Sequence, residues 1–272
     1  MYEQSSVLIA AVLFVTMAVA IEAGYRVASQ TAKSINELSR ANINAIQGSL
    51  LGVLALLLGF TFAISMQRFD SRSDAVVDEA NAIGTTWLRA QLLPVSVRSD
   101  VQDLLRGYVD LRVREASVTL VDHDERKALL VEAGRKLDAL WRYAVQAAEE
   151  DGRPVTSGLF IQALNEMVDA YSRRDSALNR HVPEVVLFLL YFTFLMTGSL
   201  VGYATGVAGH RTSFATYILV GLIVLLVFII IDLDRPRRGL IEVNQASMIG
   251  LHTAIGAGQA SDGLRIFPGP GE

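Results

Sequence analysis

The chain has 272 residues, 51% of them hydrophobic and 19% charged, with a net charge of −4. The absence of cysteine excludes thiolate catalysis, disulfides and cysteine-ligated metals, and the acidic balance offers no global basic face for nucleic acid. The charge is also segregated: 16 of the 24 Lys/Arg and 20 of the 28 Asp/Glu fall between Arg68 and Glu184, the distribution of a membrane protein carrying one polar module.

Four runs reach the roughly 20 apolar residues that a membrane-crossing helix needs: Ser6–Gly24, Ala45–Met66, Pro183–Ala208 and Ser213–Ile231. Their only acids, Glu22 and Glu184, lie at the ends; a central charge would cost about 2.5–3.5 kcal/mol on insertion scales. In the first run Ala18-Val19-Ala20 resembles a signal cleavage site. The preceding MYEQSS, however, carries an acid and no base, whereas a signal peptide starts positive, so the run is read as a span.

The second run does not stop at the membrane. LGVLALLLGFTFAISMQRFDSRSD turns from apolar to charged without a proline, and helical spacing continues through Phe69, Val76, Ala80, Ile83 and Trp87 until Pro94. From Ala45 to Leu92 this predicts one helix of 48 residues, about 72 Å at 1.5 Å per residue. Such a rod needs neighbours from its own module or from other copies of the chain to cover its polar extension.

The module that follows shows spacing at three and four and no sustained alternation, so it is read as helical throughout. One helix is expected from Ser96 to about Leu120, facing inward with Val97, Val101, Leu104, Leu105 and Tyr108. Asp122 and Glu125 resemble a capping box opening a helix with the stripe Leu129, Ala133, Leu137, Leu140, Trp141, Ala144 and Ala148, ended by Gly152 and Pro154. A last polar helix starts near Thr156 or Ser157 and runs through Ile161, Leu164, Val168 and Tyr171 to Pro183. The acids of the module are assigned to exposed faces. After the fourth span, Pro236 breaks the helix, GLIEVNQASMIGLHTAIG forms one short element, and the Gly/Pro-rich GAGQASDGLRIFPGPGE is read as extended.

The expected architecture is an all-α membrane protein: four transmembrane helices, a cytoplasmic helical bundle inserted between spans two and three, and a second helix continuous from membrane into cytoplasm. Residues 1–66 hold the first two spans, 67–182 the module, 183–233 the last two spans and 234–272 a C-terminal cytoplasmic tail. Orientation follows from bases near the spans. Arg68, Arg72, Arg173, Arg174, Arg180, Arg235, Arg237 and Arg238 lie on one side, against Arg26, Lys33, Arg40 and Arg211 on the other. Eight against four puts both termini and the module in the cytoplasm.

Three blocks carry a family resemblance: LLGFTFAISMQRFD, DEANAIGTTWLRAQLLP (Asp78–Pro94) and DLDRPRRGLIEVNQ (Asp232–Gln245). Together they resemble the bestrophin-like family of mainly bacterial membrane proteins, over nearly the whole chain. The first block is also distantly similar to the second helix of true bestrophins, which are pentameric anion channels with four spans per subunit and a hydrophobic neck. That resemblance implies a homo-oligomer, a pentamer in the bestrophin case, with inorganic ions and the bilayer as its partners and without a cofactor. It matches Leu56 and Phe60 to neck positions, while Gly52 stands one turn earlier where bestrophins favour a bulky residue.

Read along its own periodicity, the Phe60 face continues through Ile64 and Gln67 to Ser71, Asp74 and Asp78. Leu56, Phe60 and Ile64 would form the pore neck; Gln67, Ser71, Asp74 and Asp78 would line an inner vestibule. Acidic rings favour cations, whereas the family resemblance points to anions, and Arg68 or Arg72 turned inward would serve the latter. Selectivity stays open at this point. The alternative to a channel is a non-conducting membrane-anchored scaffold or signalling module, in which Gly48, Gly52 and Gly59 merely let helices approach closely. Of the histidines, His123 lies beside Asp122 and Asp124 but has no second histidine near in sequence to complete a metal site, and His210 sits in a short loop. No nucleophile elbow, phosphate loop or zinc-protease signature is present, so enzymatic activity is not expected. Asp232 and Asp234 are expected to pair with neighbouring bases or with Arg68.

Overall fold

A computed structural model describes residues 6–31, 37–118, 123–235 and 241–257. Among these residues every regular element is helical: α1 (Ser6–Thr31), α2 (Glu37–Ala90), α3 (Val95–Ser117), α4 (His123–Glu150), α5 (Leu159–Asn179), α6 (Glu184–Val207), α7 (Phe214–Asp234) and α8 (Ala246–Ala257). A π turn, Pro154–Gly158, leads into α5. Four helices among the described residues, α1, α2, α6 and α7, contain stretches long and apolar enough to cross a membrane, and the protein is an all-α membrane protein. The contacts divide the chain into two compact units, residues 1–69 with 181–241 and residues 70–180 with 242–272. Asp122, whose expected capping role opened α4, lies outside the described residues, as do Lys33, Arg237, Arg238 and the tail from 258 onward.

The first unit is organised by small residues on α6. A Cβ added to Gly202 would run into the backbone of Ile21, one at Gly198 into Met17, and one at Gly206 into Tyr25 and Ala28. The partners advance along α1 as the glycines advance along α6, so the two helices run parallel and in backbone contact. Without water to drive helices together, such packing is what holds membrane helices to each other. Gly48, Gly52 and Gly59 of α2, by contrast, have nothing within reach of an added Cβ; they mediate no close approach within the chain. Around the glycine seam Leu13, Met17, Leu54, Leu58, Phe194, Val220, Val227 and Ile230 form one apolar cluster.

Two loop contacts finish this unit. Asp234 accepts the backbone N–H of Val182 at 3.0 Å, and the Nδ1 of His181 lies 3.2 Å from the Asp234 carbonyl. Since a carbonyl only accepts, that contact puts the histidine proton on Nδ1. Asp232 accepts the N–H of Ile241 at 3.0 Å. These two carboxylates thus bind backbone donors that lack helical partners.

The second unit packs α3, α4, α5 and α8 with residues 70–90 of α2. Its core contains Val76, Ala80, Ile83 and Trp87 from α2, with Val97, Val101, Leu105 and Tyr108 from α3, as the spacing predicts. Two expectations are corrected. Trp141 is 43% exposed; the α4 stripe proceeds from Leu140 to Ala144 and Ala147, since Trp141 sits 100° around the helix from Leu140. On α5 the buried face is Phe160, Ala163, Leu164, Met167, Ala170 and Arg174, while Ile161, Val168 and Tyr171 are only partly covered. Most of the stripe is turned by one residue, and an arginine, which the apolar pattern cannot reveal, occupies its last inward position. α8 docks on α3 through Met248 and Ile255, with His252 Nε2 donating to Asp110 at 2.6 Å. At the α4–α5 corner Asp151 accepts the Arg153 guanidinium and the Thr156 hydroxyl. These bonds, the Arg153 side chain first, hold its carboxyl below the usual range.

Candidate functional site

The seam between α2 and α5 carries most of the polar chemistry of the second unit. Four contacts set its register. The Arg72 guanidinium donates to the carbonyls of Ala177 and Arg180 at 3.2 and 2.8 Å. Arg174 Nη1 donates to Glu79 at 2.6 Å. Farther along, the Thr86 hydroxyl lies 3.1 Å from the Ala163 carbonyl, and Arg89 donates to the Leu159 carbonyl at 3.0 Å. Rising numbers on α2 meet falling numbers on α5, so the helices are antiparallel. Arg72 acts as a cationic cap on carbonyls that α5 cannot satisfy at its C-terminal end.

That role corrects one expectation. Arg72 is only 2% exposed and its donors are committed to α5, so it cannot turn inward to favour anions in a pore.

At the middle of the seam is a charged cluster that sequence reading missed. Glu79, Arg112, Glu115 and Arg174 are all buried; the assignment of the module's acids to exposed faces is thus corrected for Glu79 and Glu115, while acids such as Asp74, Asp103, Asp110, Glu132 and Glu166 are exposed as expected. Arg112 donates to both oxygens of Glu79 at 2.7 and 3.0 Å and to Glu115 at 3.1 Å. Tyr108 donates to Glu79 at 3.0 Å. Arg174 bridges Glu79 to Gln245 at 3.1 Å, tying the segment before α8 into the same network. Two acids and two bases make the cluster neutral, and its hydrogen bonds compensate for desolvation, the condition under which buried ions are tolerated. Burial alone would raise the Glu79 pKa. The fields of Arg112 and then Arg174, with their hydrogen bonds, hold it below the ordinary carboxylate value. Burial, and then Glu79, push the Tyr108 hydroxyl well above its usual range. The only signal available in sequence was the position of Glu79 and Gln245 inside two of the family-marker blocks.

The opposite face of α2 has another character. Leu56, Phe60, Ile64, Gln67, Ser71, Asp74 and Asp78 are all exposed, with Phe60 at 61%. The inward positions are instead Leu54, Leu58, Thr61, Ser65, Arg72, Ala75, Val76 and Glu79. Of the expected site residues, Ser71, Asp74 and Asp78 come together with Asp169, Ser172, Arg173, Ser176 and Arg180 of the α5 side. They line an open groove of about 580 Å³ floored by Ala75 and Ala177. Among the described residues no group of three or more potential ligands is placed to hold a metal ion.

A helical membrane protein with a polar helical insert and a long second helix is thus in hand, and comparison gives it a family. Residues 7–248 match the bestrophin-like domain, and the chain belongs to the bestrophin-like family. Neither a curated protein nor a solved structure matches it.

Proposed function

We propose that the chain assembles with copies of itself into an ion channel of bestrophin-like type, with α2 lining the path. The observation that carries this reading is the division of α2 into two faces. One is consumed by the chain's own packing; the other, from Leu56 to Asp78, is left uncovered and passes from apolar to acidic. Copies turning that face toward a common axis give an apolar neck at Leu56, Phe60 and Ile64, which gates by dewetting. Gln67, Ser71, Asp74 and Asp78 then form a wettable vestibule. Family membership supports the same class of function.

The helix directions support one arrangement in the membrane. Parallel α1 and α6 bring their N-terminal ends to one side, so the N-terminus and the module preceding α6 share it. The excess of bases near the spans on that side makes it the cytoplasm, in a bacterial inner membrane. The buried Arg72 takes no part in the vestibule, where Arg173 and Arg180 share a groove with Asp74 and Asp78.

The test is ion flux from liposomes containing purified protein, together with the mass of the particle in detergent. A stable ring whose flux rises several-fold with Phe60→Ala is expected. A monomer or dimer that conducts nothing overturns the channel and leaves a membrane-anchored scaffold.

A further inference from the structure

The first unit holds a cavity of about 260 Å³ among α1, α6 and α7. Ile9 and Val12 line it from α1, Leu187 and Tyr191 from α6, and Val227 and Ile231 from α7. Each of these residues lies within seven positions of a helix end, at Ser6, Glu184 or Asp234, about 10 Å along the axis at 1.5 Å per residue. The parallel α1 and α6 begin, and α7 ends, on the side from which the module departs. The cavity therefore lies at the depth of one leaflet's hydrocarbon, half of a core roughly 30 Å thick. Its lining side chains are hydrocarbon apart from the tyrosine hydroxyl, and water needs two to four polar partners to stay in such a space. No residue of α2 lines it, so it takes no part in the proposed path.

Basic residues gather at the same end. Arg235 follows α7 directly, and Arg237 and Arg238 stand six and seven residues beyond Ile231 in the sequence. Of the acids nearby, Asp232 and Asp234 accept backbone N–H groups, and Glu184 is exposed in the first turn of α6.

We propose that this cavity holds one acyl chain of an anionic phospholipid from the leaflet on the module side, with the headgroup drawn to the bases after α7. An apolar chamber at acyl depth takes the tail, and arginines that continue from its α7 wall attract the phosphate, as basic clusters beside a span do in a cytoplasmic leaflet. A zwitterionic lipid offers the same tail but gains less from the bases. The inference rests on the proposed arrangement in the membrane and not on conduction, so flux can fail without it.

Contact quenching of tryptophan by phospholipids brominated along the chain tests the site. Tyr191→Trp puts a reporter on the cavity wall, and Leu222→Trp puts one on α7 at a position 60% exposed. The native Trp87 and Trp141 both belong to the second unit, and the wild-type chain measures their background. Each full-length protein is reconstituted in phosphatidylcholine liposomes, with brominated phosphatidylglycerol or brominated phosphatidylcholine added at equal fraction. Tyr191→Trp should be quenched several-fold more strongly by the anionic lipid, and Leu222→Trp equally by both. Absence of quenching at Tyr191→Trp overturns the proposal, and so does an equal anionic preference at the two positions, which describes a general annulus. Arg237→Gln with Arg238→Gln in the Tyr191→Trp chain should remove the preference while keeping the quenching; a preference that survives overturns the headgroup assignment. A second reading uses the unmodified protein. Anionic phospholipid should remain through detergent purification, counted by mass spectrometry, and fall several-fold in Val227→Phe, which fills the cavity, with no fall in unfolding temperature. A wild-type protein that retains none overturns the site.

Discussion

Glu79 shows what one charged side chain does when it is fully enclosed. It accepts from Arg112, Arg174 and Tyr108, so its carboxylate balances two guanidinium groups that have little water to stabilise them. Glu79→Gln keeps the shape and removes the charge, leaving Arg174 without its anion; breaking a buried pair in this way costs about 3–5 kcal/mol. Thermal unfolding of the purified protein measures the loss. The pH dependence has a defined sign. The folded pKa lies below the ordinary 4.5, so the stabilisation is complete above about pH 4.5 and disappears as pH falls through the depressed folded value. Acid titration of stability should therefore steepen below pH 4.5 in the wild type and flatten in Glu79→Gln. Arg174→Lys is not a conservative change, because a lysine cannot hold Glu79 and Gln245 at once in the fork geometry of arginine. Loss of that bridge should speed hydrogen exchange in α8 more than in α3.

At the scale of the helix, two seams hold the units and each suggests its own substitution. Gly202→Leu puts a side chain where Ile21 already has backbone; the parallel α1–α6 pair must separate, with a loss of about 1–3 kcal/mol or more, read as reduced thermal stability in detergent. Gly52→Leu is the contrasting control, since an added side chain meets nothing within the chain. It should leave the unfolding temperature unchanged while altering flux, because in the proposed ring that face looks toward the path. The antiparallel α2–α5 seam depends on Arg72. Arg72→Met leaves the carbonyls of Ala177 and Arg180 without their donor, at about 1–3 kcal/mol, and proteolysis near residue 180 should accelerate.

For the whole molecule, the decisive property is an uncovered face. A soluble monomer rarely leaves contiguous apolar patches larger than a few hundred Å², and lipid covers such surface only within the bilayer. Phe60 and its neighbours on α2 pass directly into an acidic row, so a face that begins at lipid depth ends among charges. In the proposed channel, self-assembly would place both halves along the path. Particle mass in detergent is expected to correspond to a ring.

The sequence by itself determined the spans, the helical character of the insert and the long second helix, because these follow from apolar run length and from periodicity along one chain. It also carried the family blocks. Tertiary structure alone decided which charges are buried, since an arginine or glutamate on an inward position interrupts the apolar pattern and is read as surface. Glu79, Arg112, Glu115 and Arg174 become a neutral cluster only when three helices bring them together. For the same reason Arg72 proved to cap α5, and the glycines in close contact proved to be those of the α1–α6 seam, Gly24, Gly198, Gly202 and Gly206, because an approach between helices depends on the partner's position and not on the spacing of the glycines themselves.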